Sequence, residues 1–185
     1  SANSIGSGQV LHCAYPADKA RLIVREMADL LVYDLVDKHL VTDQLVLTVG
    51  YDKDNLTDPN CSYAGEVKTD FYGRKVPKHA HGSINLNGYT SSTKEIIQAI
   101  TVLYDRIVDP TLLVRRVNIT ANHVVDEAIA PKAGPAGQLD LFTDYEAEER
   151  EKRIQEAIKE IRGRYGTNAV LKAMNLLAAD YNVNG

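Results

Sequence analysis

Apolar residues return along this chain with two different periods, and the period assigns the elements. From Ala17 to about His39, the residues Ala20, Val24, Met27, Leu31 and Leu35 recur at the spacing of one helical face. Asp18 near the start and Lys38 near the end suit the helix dipole. In DQLVLTVGY the period falls to two: Leu45, Leu47, Val49 and Tyr51 share one side and Val46, Thr48 and Gly50 the other, which predicts a half-buried strand. Before the helix, Ser4 to Tyr15 is polar and glycine-containing, with a short strand predicted around Val10 and Leu11 and ending at Pro16. After DQLVLTVGY, residues 52–82 are rich in Asp, Asn, Pro and Gly and read as an extended insert with a hairpin around Phe71 to Lys75. A short strand follows from Ser83 to Asn87. Ser92 and Glu95 form a capping-box pair opening a second helix, which buries Ile96, Ile100, Leu103 and Ile107 and stops before Pro110. VRRVNITANHV then alternates again, with Val117, Ile119 and Ala121 inward and Arg116, Asn118, Thr120 and Asn122 outward.

Two strand-helix-strand units in tandem, each helix apolar along one stripe, predict an α+β fold: a four-stranded sheet with two helices packed on one face. The other face of the sheet is then open to a partner. Residues 1–124 form this domain. Residues 125–143, with Pro131, Gly134, Pro135 and Gly137, read as a linker, and residues 144–185 as a helical C-terminal appendage with a narrow apolar stripe at Ile154, Ala157, Ile158 and Ile161.

Charge refines this picture. The 185 residues carry 21 Lys and Arg against 25 Asp and Glu, a formal net charge of -4. Residues 1–124 hold 13 basic and 14 acidic side chains, while residues 71–124 alone hold seven basic and three acidic ones. A basic patch can therefore sit on an acidic chain, which is what polyanion binding requires. No apolar run approaches the ~20 residues that a bilayer needs, and SANSIGSG lacks the features of a signal peptide, so a cytoplasmic protein with no membrane partner is expected. Cys13 and Cys61 cannot build a disulfide framework and read as free buried thiols of a reducing compartment. Because the chain starts at Ser1, it reads as a piece of something longer.

Candidate chemistry is sparse. No Walker loop, GxGxxG, CxxC, HExxH or GxSxG occurs. His79 and His81 would need Cys61 or Cys13 to hold a metal and read as polar loop histidines; a small metal enzyme or hydrolase would depend on that pair. Asp52, Asp54 and Asp58 lack the glycine and glutamate of a calcium loop and read as solvated. More informative are Arg74, Lys75 and Lys78 with Arg115 and Arg116, set among Ser83, Asn85, Asn118, Thr120 and Asn122, the residue types that contact phosphates.

GSGQVL at Gly6 to Leu11, then LIVREMADLL, FYGRKVPKHAHGSINL and DRIVDPTLLVRRVNITANHVV resemble the C-terminal, little finger domain of bacterial Y-family translesion DNA polymerases of the UmuC and DinB group. The likeness is strongest to the forms of Gram-positive bacteria, and RRVNI carries it most specifically. The resemblance implies a four-stranded sheet backed by two helices that binds DNA through its backbone, without sequence preference. It implies that Arg115 and Arg116 contact template phosphates and that Ser7, Gly8 and Gln9 run along the duplex. Arg74, Lys75, Lys78 and Asn118 complete the expected DNA-binding set. The family's catalytic palm, with its Mg2+, would lie outside this chain, so no catalytic residue, metal or cofactor is assigned here and the fragment alone should be inactive. Gln138, Leu139, Asp140, Leu141 and Phe142 resemble the sliding-clamp-binding pentapeptide of bacterial polymerases. The expected function is to hold primer-template DNA and bind the clamp for an error-prone polymerase of DNA damage repair and the SOS response. The alternative is a module that binds the clamp or the recombination machinery and hardly touches DNA, which the net charge favours.

Overall fold

Pro16 divides the first two elements. In the computed structural model, which describes residues 3–131, 152–157 and 159–160, strand β1 (Ile5–Tyr15) ends at this proline and helix α1 (Ala17–Asp37) begins. The Pro16 carbonyl accepts the Ala20 N–H at 3.0 Å, and proline has no N–H of its own to leave unpaired there. At the far end the Lys38 N–H reaches back to Asp34 O and His39 takes a left-handed φ of 55°, which stops the helix. Then come β2 (Leu40–Tyr51), a single-turn helix α2 (Asp54–Thr57), a hairpin of β3 (Val67–Thr69) and β4 (Lys75–Pro77), β5 (Ala80–Thr90), helix α3 (Thr93–Ile107), β6 (Val114–Asn122) and β7 (Val125–Asp126).

The principal sheet has the order β1-β6-β2-β5, and every neighbouring pair is antiparallel. Both α1 and α3 cover the same face. Leu45, Leu47 and Val49 of β2 and Val117, Ile119 and Ala121 of β6 meet Val24, Leu31 and Leu35 of α1 and Ile96, Ile100 and Leu103 of α3 in one core, all of them at most 1% exposed. Burying each such side chain contributes about 1.5–3 kcal/mol, so this seam holds the layers together. Two polar ties fix the helices to each other: Tyr104 Oη donates to Ala17 O at 2.6 Å, and Arg21 reaches both Asp105 oxygens at 2.9 Å. This is the α+β architecture of a four-stranded sheet with two helices on one face that the alternating and helical periods predict.

Several elements differ from the sequence reading. β1 spans eleven residues rather than a short strand; it lies at the sheet edge, where only Leu11 is buried, so burial never imprinted an alternation on it. β5 begins at Ala80, taking the last three residues of the expected insert. What remains of that insert is not merely solvated. Asn55 is 1% exposed, donates to Asp52 O and Leu113 O at 2.9 Å and accepts the Leu113 N–H at 2.8 Å, clasping the end of β2 to the start of β6. Asp52 is buried too. The expected hairpin is present, with its turn at Asp70 to Arg74. Ile107 is only half-buried, and the Ser92 N–H is met by Thr90 Oγ1 at 2.9 Å while Ser92 Oγ accepts from the Glu95 N–H. Neither cysteine is fully buried as expected: Cys13 is exposed and Cys61 half-buried.

Past β6 the chain stays on the domain: β7 pairs with Leu40 and Val41 of β2, and the Glu127 N–H donates to His39 O. The described part of the appendage is helical and docked. Gln155, 7% exposed, donates to Ser91 O at 2.9 Å and to Thr93 Oγ1 at 2.6 Å, at the start of α3. Lys152 pairs with Glu127 at 2.8 Å and Lys159 with Asp37 at 3.1 Å. No helix among the described residues is long and apolar enough to cross a membrane.

Candidate nucleic-acid interface

With both helices on one side, the outward residues of four strands form a single surface that no element among the described residues covers, and the register orders it into rows. Asn122 of β6, Gln44 of β2 and Asn85 of β5 stand side by side and are linked, Asn122 Nδ2 to Gln44 Oε1 at 3.0 Å and Gln44 Nε2 to Asn85 Oδ1 at 2.9 Å. Next come Gly6, Thr120, Val46 and Ser83. The third row is Gly8, Asn118, Thr48 and His81, with Thr48 Oγ1 and His81 Nδ1 2.8 Å apart. The fourth holds Val10, Arg116 and Gly50.

Apart from Val10, Val46 and the glycines, the side chains in these rows are polar, and the formal charge stands at one end, where Arg116 is exposed and, among the described residues, without a salt-bridge partner. Glycines keep it low. A Cβ at Gly8 would lie 2.1 Å from Asn118 Oδ1, and one at Gly50 would lie 3.2 Å from the Arg116 Cβ. Asn118 therefore leans across the bare backbone of Gly8, and Arg116 lies against that of Gly50. β1 is also an edge strand, and along one side its main-chain N–H groups have no partner strand among the described residues; phosphates use such donors beside Arg and Asn.

The predicted residues do not all gather here. Gly8, Arg116 and Asn118 lie on the open face, together with Ser83, Asn85, Thr120 and Asn122. Ser7 and Gln9 pair with Ile119 and Val117, whose side chains enter the core, so they project toward the helix side at the exposed edge. Arg115 is the extra residue of a bulge: Gly50 pairs with Arg116 but Tyr51 with Val114. The bulge re-aims Arg115 to within 4.0 Å of Asp52.

The run Arg74, Lys75 and Lys78 belongs to the β3–β4 hairpin, and its charge is largely compensated. Arg74 Nε bonds Asp70 Oδ2 at 2.9 Å, and Lys78 and Lys68 both pair with Glu66, at 3.1 and 2.7 Å. Hydrogen bonds from Lys68 and Lys78 hold the Glu66 carboxyl below its ordinary pKa. Desolvation works the other way at Asp70, yet the Arg74 amide and guanidinium together bring its carboxyl down as well. Glu66 and Asp70, just ahead of residue 71, thus offset much of the positive charge that residues 71–124 carry by themselves. Lys75 remains exposed.

Gln44 and Thr48 do not stand out in the sequence, and His81 does so only as half of a candidate metal pair, although the alternation of β2 places Thr48 outward with Val46 and Gly50. His79 and His81 have rings 6.5 Å apart, and among the described residues no three His, Cys, Asp or Glu side chains converge to hold a metal. Gln138, Leu139, Asp140, Leu141 and Phe142 lie outside the described residues.

Residues 2–141 match the C-terminal domain of the impB/mucB/samB family. No curated protein matches the chain. Among solved structures, a complex of the beta-clamp processivity factor and the little finger domain of PolIV is similar over 64% of this chain and 86% of that one, at 9% identity and a TM-score of 0.42.

Proposed function

The chain belongs to the impB/mucB/samB C-terminal domain family, that of the Y-family polymerases, and on that premise we propose that its open sheet face holds primer-template DNA by phosphate contacts for an error-prone lesion-bypass polymerase. The observation that supports this best is the face itself: outward polar side chains on β6, β2 and β5, bordered by the glycines of β1 and uncovered by either helix, with a guanidinium at one end that has no salt-bridge partner among the described residues. Asn, Gln, Thr and Ser on such a surface donate to phosphate oxygens without selecting a base. Indifference to base edges suits damaged templates, since a domain that read the major groove would reject the lesion. The parent would supply the catalytic palm and its Mg2+, and would act in the cytoplasm during DNA damage repair and the SOS response. Gln138 to Phe142 would bind the sliding clamp, with Leu139, Leu141 and Phe142 as apolar anchors.

Fluorescence anisotropy with Arg115→Ala/Arg116→Ala tests the DNA contact. Each lost phosphate contact lowers the slope of log K against log salt by about 0.9. The double variant should bind duplexes of different sequence more weakly to the same degree, and its slope should fall by about 1 to 2 units. The Arg116 share should be the larger, because Arg115 faces Asp52. Unchanged affinity and slope would refute the reading.

Charge compensation in the hairpin favours a second reading, a clamp or recombination-protein module that hardly binds DNA. Failure of the unmodified chain to bind duplex at moderate salt, with clamp binding retained, would select it.

A further inference from the structure

The turn between β3 and β4 is built contrary to the usual composition of turns. Tips of hairpins carry Gly, Asn, Asp and Ser because these satisfy the backbone and tolerate water; this one carries Phe71 at 92% and Tyr72 at 70% exposure, the two most exposed aromatic side chains among the described residues. Among the described residues nothing covers them. The turn that presents them is nonetheless fixed. Asp70 Oδ1 accepts the Tyr72 and Arg74 N–H groups at 2.9 and 2.8 Å, the Asp70 N–H donates to Arg74 O at 2.8 Å, and Gly73 supplies the left-handed φ of 78° that closes it. Phe71 and Tyr72 meet edge to face with centroids 5.6 Å apart, and the Arg74 guanidinium lies 5.1 Å from the Tyr72 centroid.

We propose that this tip, Phe71 and Tyr72 backed by Arg74 and Lys75, is a stacking platform for unpaired bases of single-stranded DNA next to the duplex. It deepens the proposed function and rests on that reading for the duplex. Three observations carry it. An aromatic ring held out by a preformed turn stacks on any base without ordering cost, and bases are free to accept it only where the strand is unpaired. The hairpin from Glu66 to Lys78 has four basic side chains against two acidic ones, so a positive excess survives its ion pairs, with Lys75 exposed beside the tip, and that excess favours an anionic partner. Finally, the hairpin leaves the sheet between the end of β2 and the start of β5, the end at which Arg116 pairs with Gly50 near the end of β2.

The test compares a blunt duplex with the same duplex carrying a single-stranded extension. For the unmodified chain the extension should tighten binding about tenfold, and Phe71→Ala/Tyr72→Ala should abolish that gain while leaving the blunt duplex unaffected. The chain has no tryptophan, so Phe71→Trp gives a single indole, excited selectively to the red of the tyrosine band, whose fluorescence should be quenched by the extended substrate and not by the blunt one. Unquenched emission, or an equal loss on both substrates in the alanine variant, overturns the proposal. If Arg115→Ala/Arg116→Ala weakens the blunt duplex but Phe71→Trp is not quenched, the face stands and the tip falls; if Phe71→Trp is quenched by a free single strand while blunt duplex does not bind, the tip stands and the face falls.

Discussion

Gly82 sits where α3 comes closest to β5. A Cβ there would lie 2.9 Å from Ile107 Cγ2 and 3.1 Å from Leu103 Cδ1, so the helix rides directly on the bare backbone. Gly82→Ala should force Ile107 off its rotamer or lift α3, at a cost of about 1–3 kcal/mol. Urea unfolding would read this as a lower midpoint at constant m-value, and an unchanged midpoint would show that the layer gives way freely. Neither Gly82 nor Asn55 stood out in the sequence, since both fell within a stretch whose polarity reads as a loop. A pattern of apolar positions records which side chains are buried; it is blind to a glycine needed for its emptiness and to an amide buried for its hydrogen bonds. Ser7 and Gln9 show the converse, because their resemblance-based role named residues without saying which side of an edge strand each would face.

Helix α3 carries the clearest pH dependence. Its Tyr104 is 3% exposed and donates to Ala17 O at the start of α1. Burial, with a smaller contribution from nearby Tyr51, pushes the Tyr104 phenol well above its ordinary value, and burial raises Tyr51 as well. Folding therefore holds both phenols protonated. Their stabilisation is complete below the ordinary tyrosine pKa of about 10 and is lost as pH climbs above it toward the raised folded values. Thermal melts from pH 8 to 11.5 should fall steeply above pH 10, and Tyr104→Phe should flatten that fall while costing about 1 kcal/mol at neutral pH. An equally steep fall in the variant would place the alkaline weakness elsewhere. The helices were legible because each buries one continuous stripe. β1 was not, since an edge strand with two wet faces has no period to display, and β7 was read as linker because two paired residues leave no pattern at all.

At the scale of the whole molecule, the proposed contacts with DNA and with the clamp belong to different residues, the first on the sheet and hairpin and the second at Gln138 to Phe142. Leu141→Ala/Phe142→Ala should therefore abolish clamp association in a pull-down while leaving duplex affinity intact; retained clamp binding would remove the motif from the reading. The appendage, whose sequence suggested only a charged helix, is tied to the domain by Gln155 and two ion pairs, a docking that a narrow apolar stripe does not announce. Strand order has a consequence of its own. β6 lies between β1 and β2, and Ile5 pairs with Ala121, so the β1-β6-β2-β5 order closes only when β6, the last of these four strands in the chain, has been made. As the chain leaves a ribosome, β2 and β5 can pair early, but β1 must wait for β6 with its edge unprotected. Loop closure over that span is slow, and the domain can fold as a unit only after Asn122 has emerged.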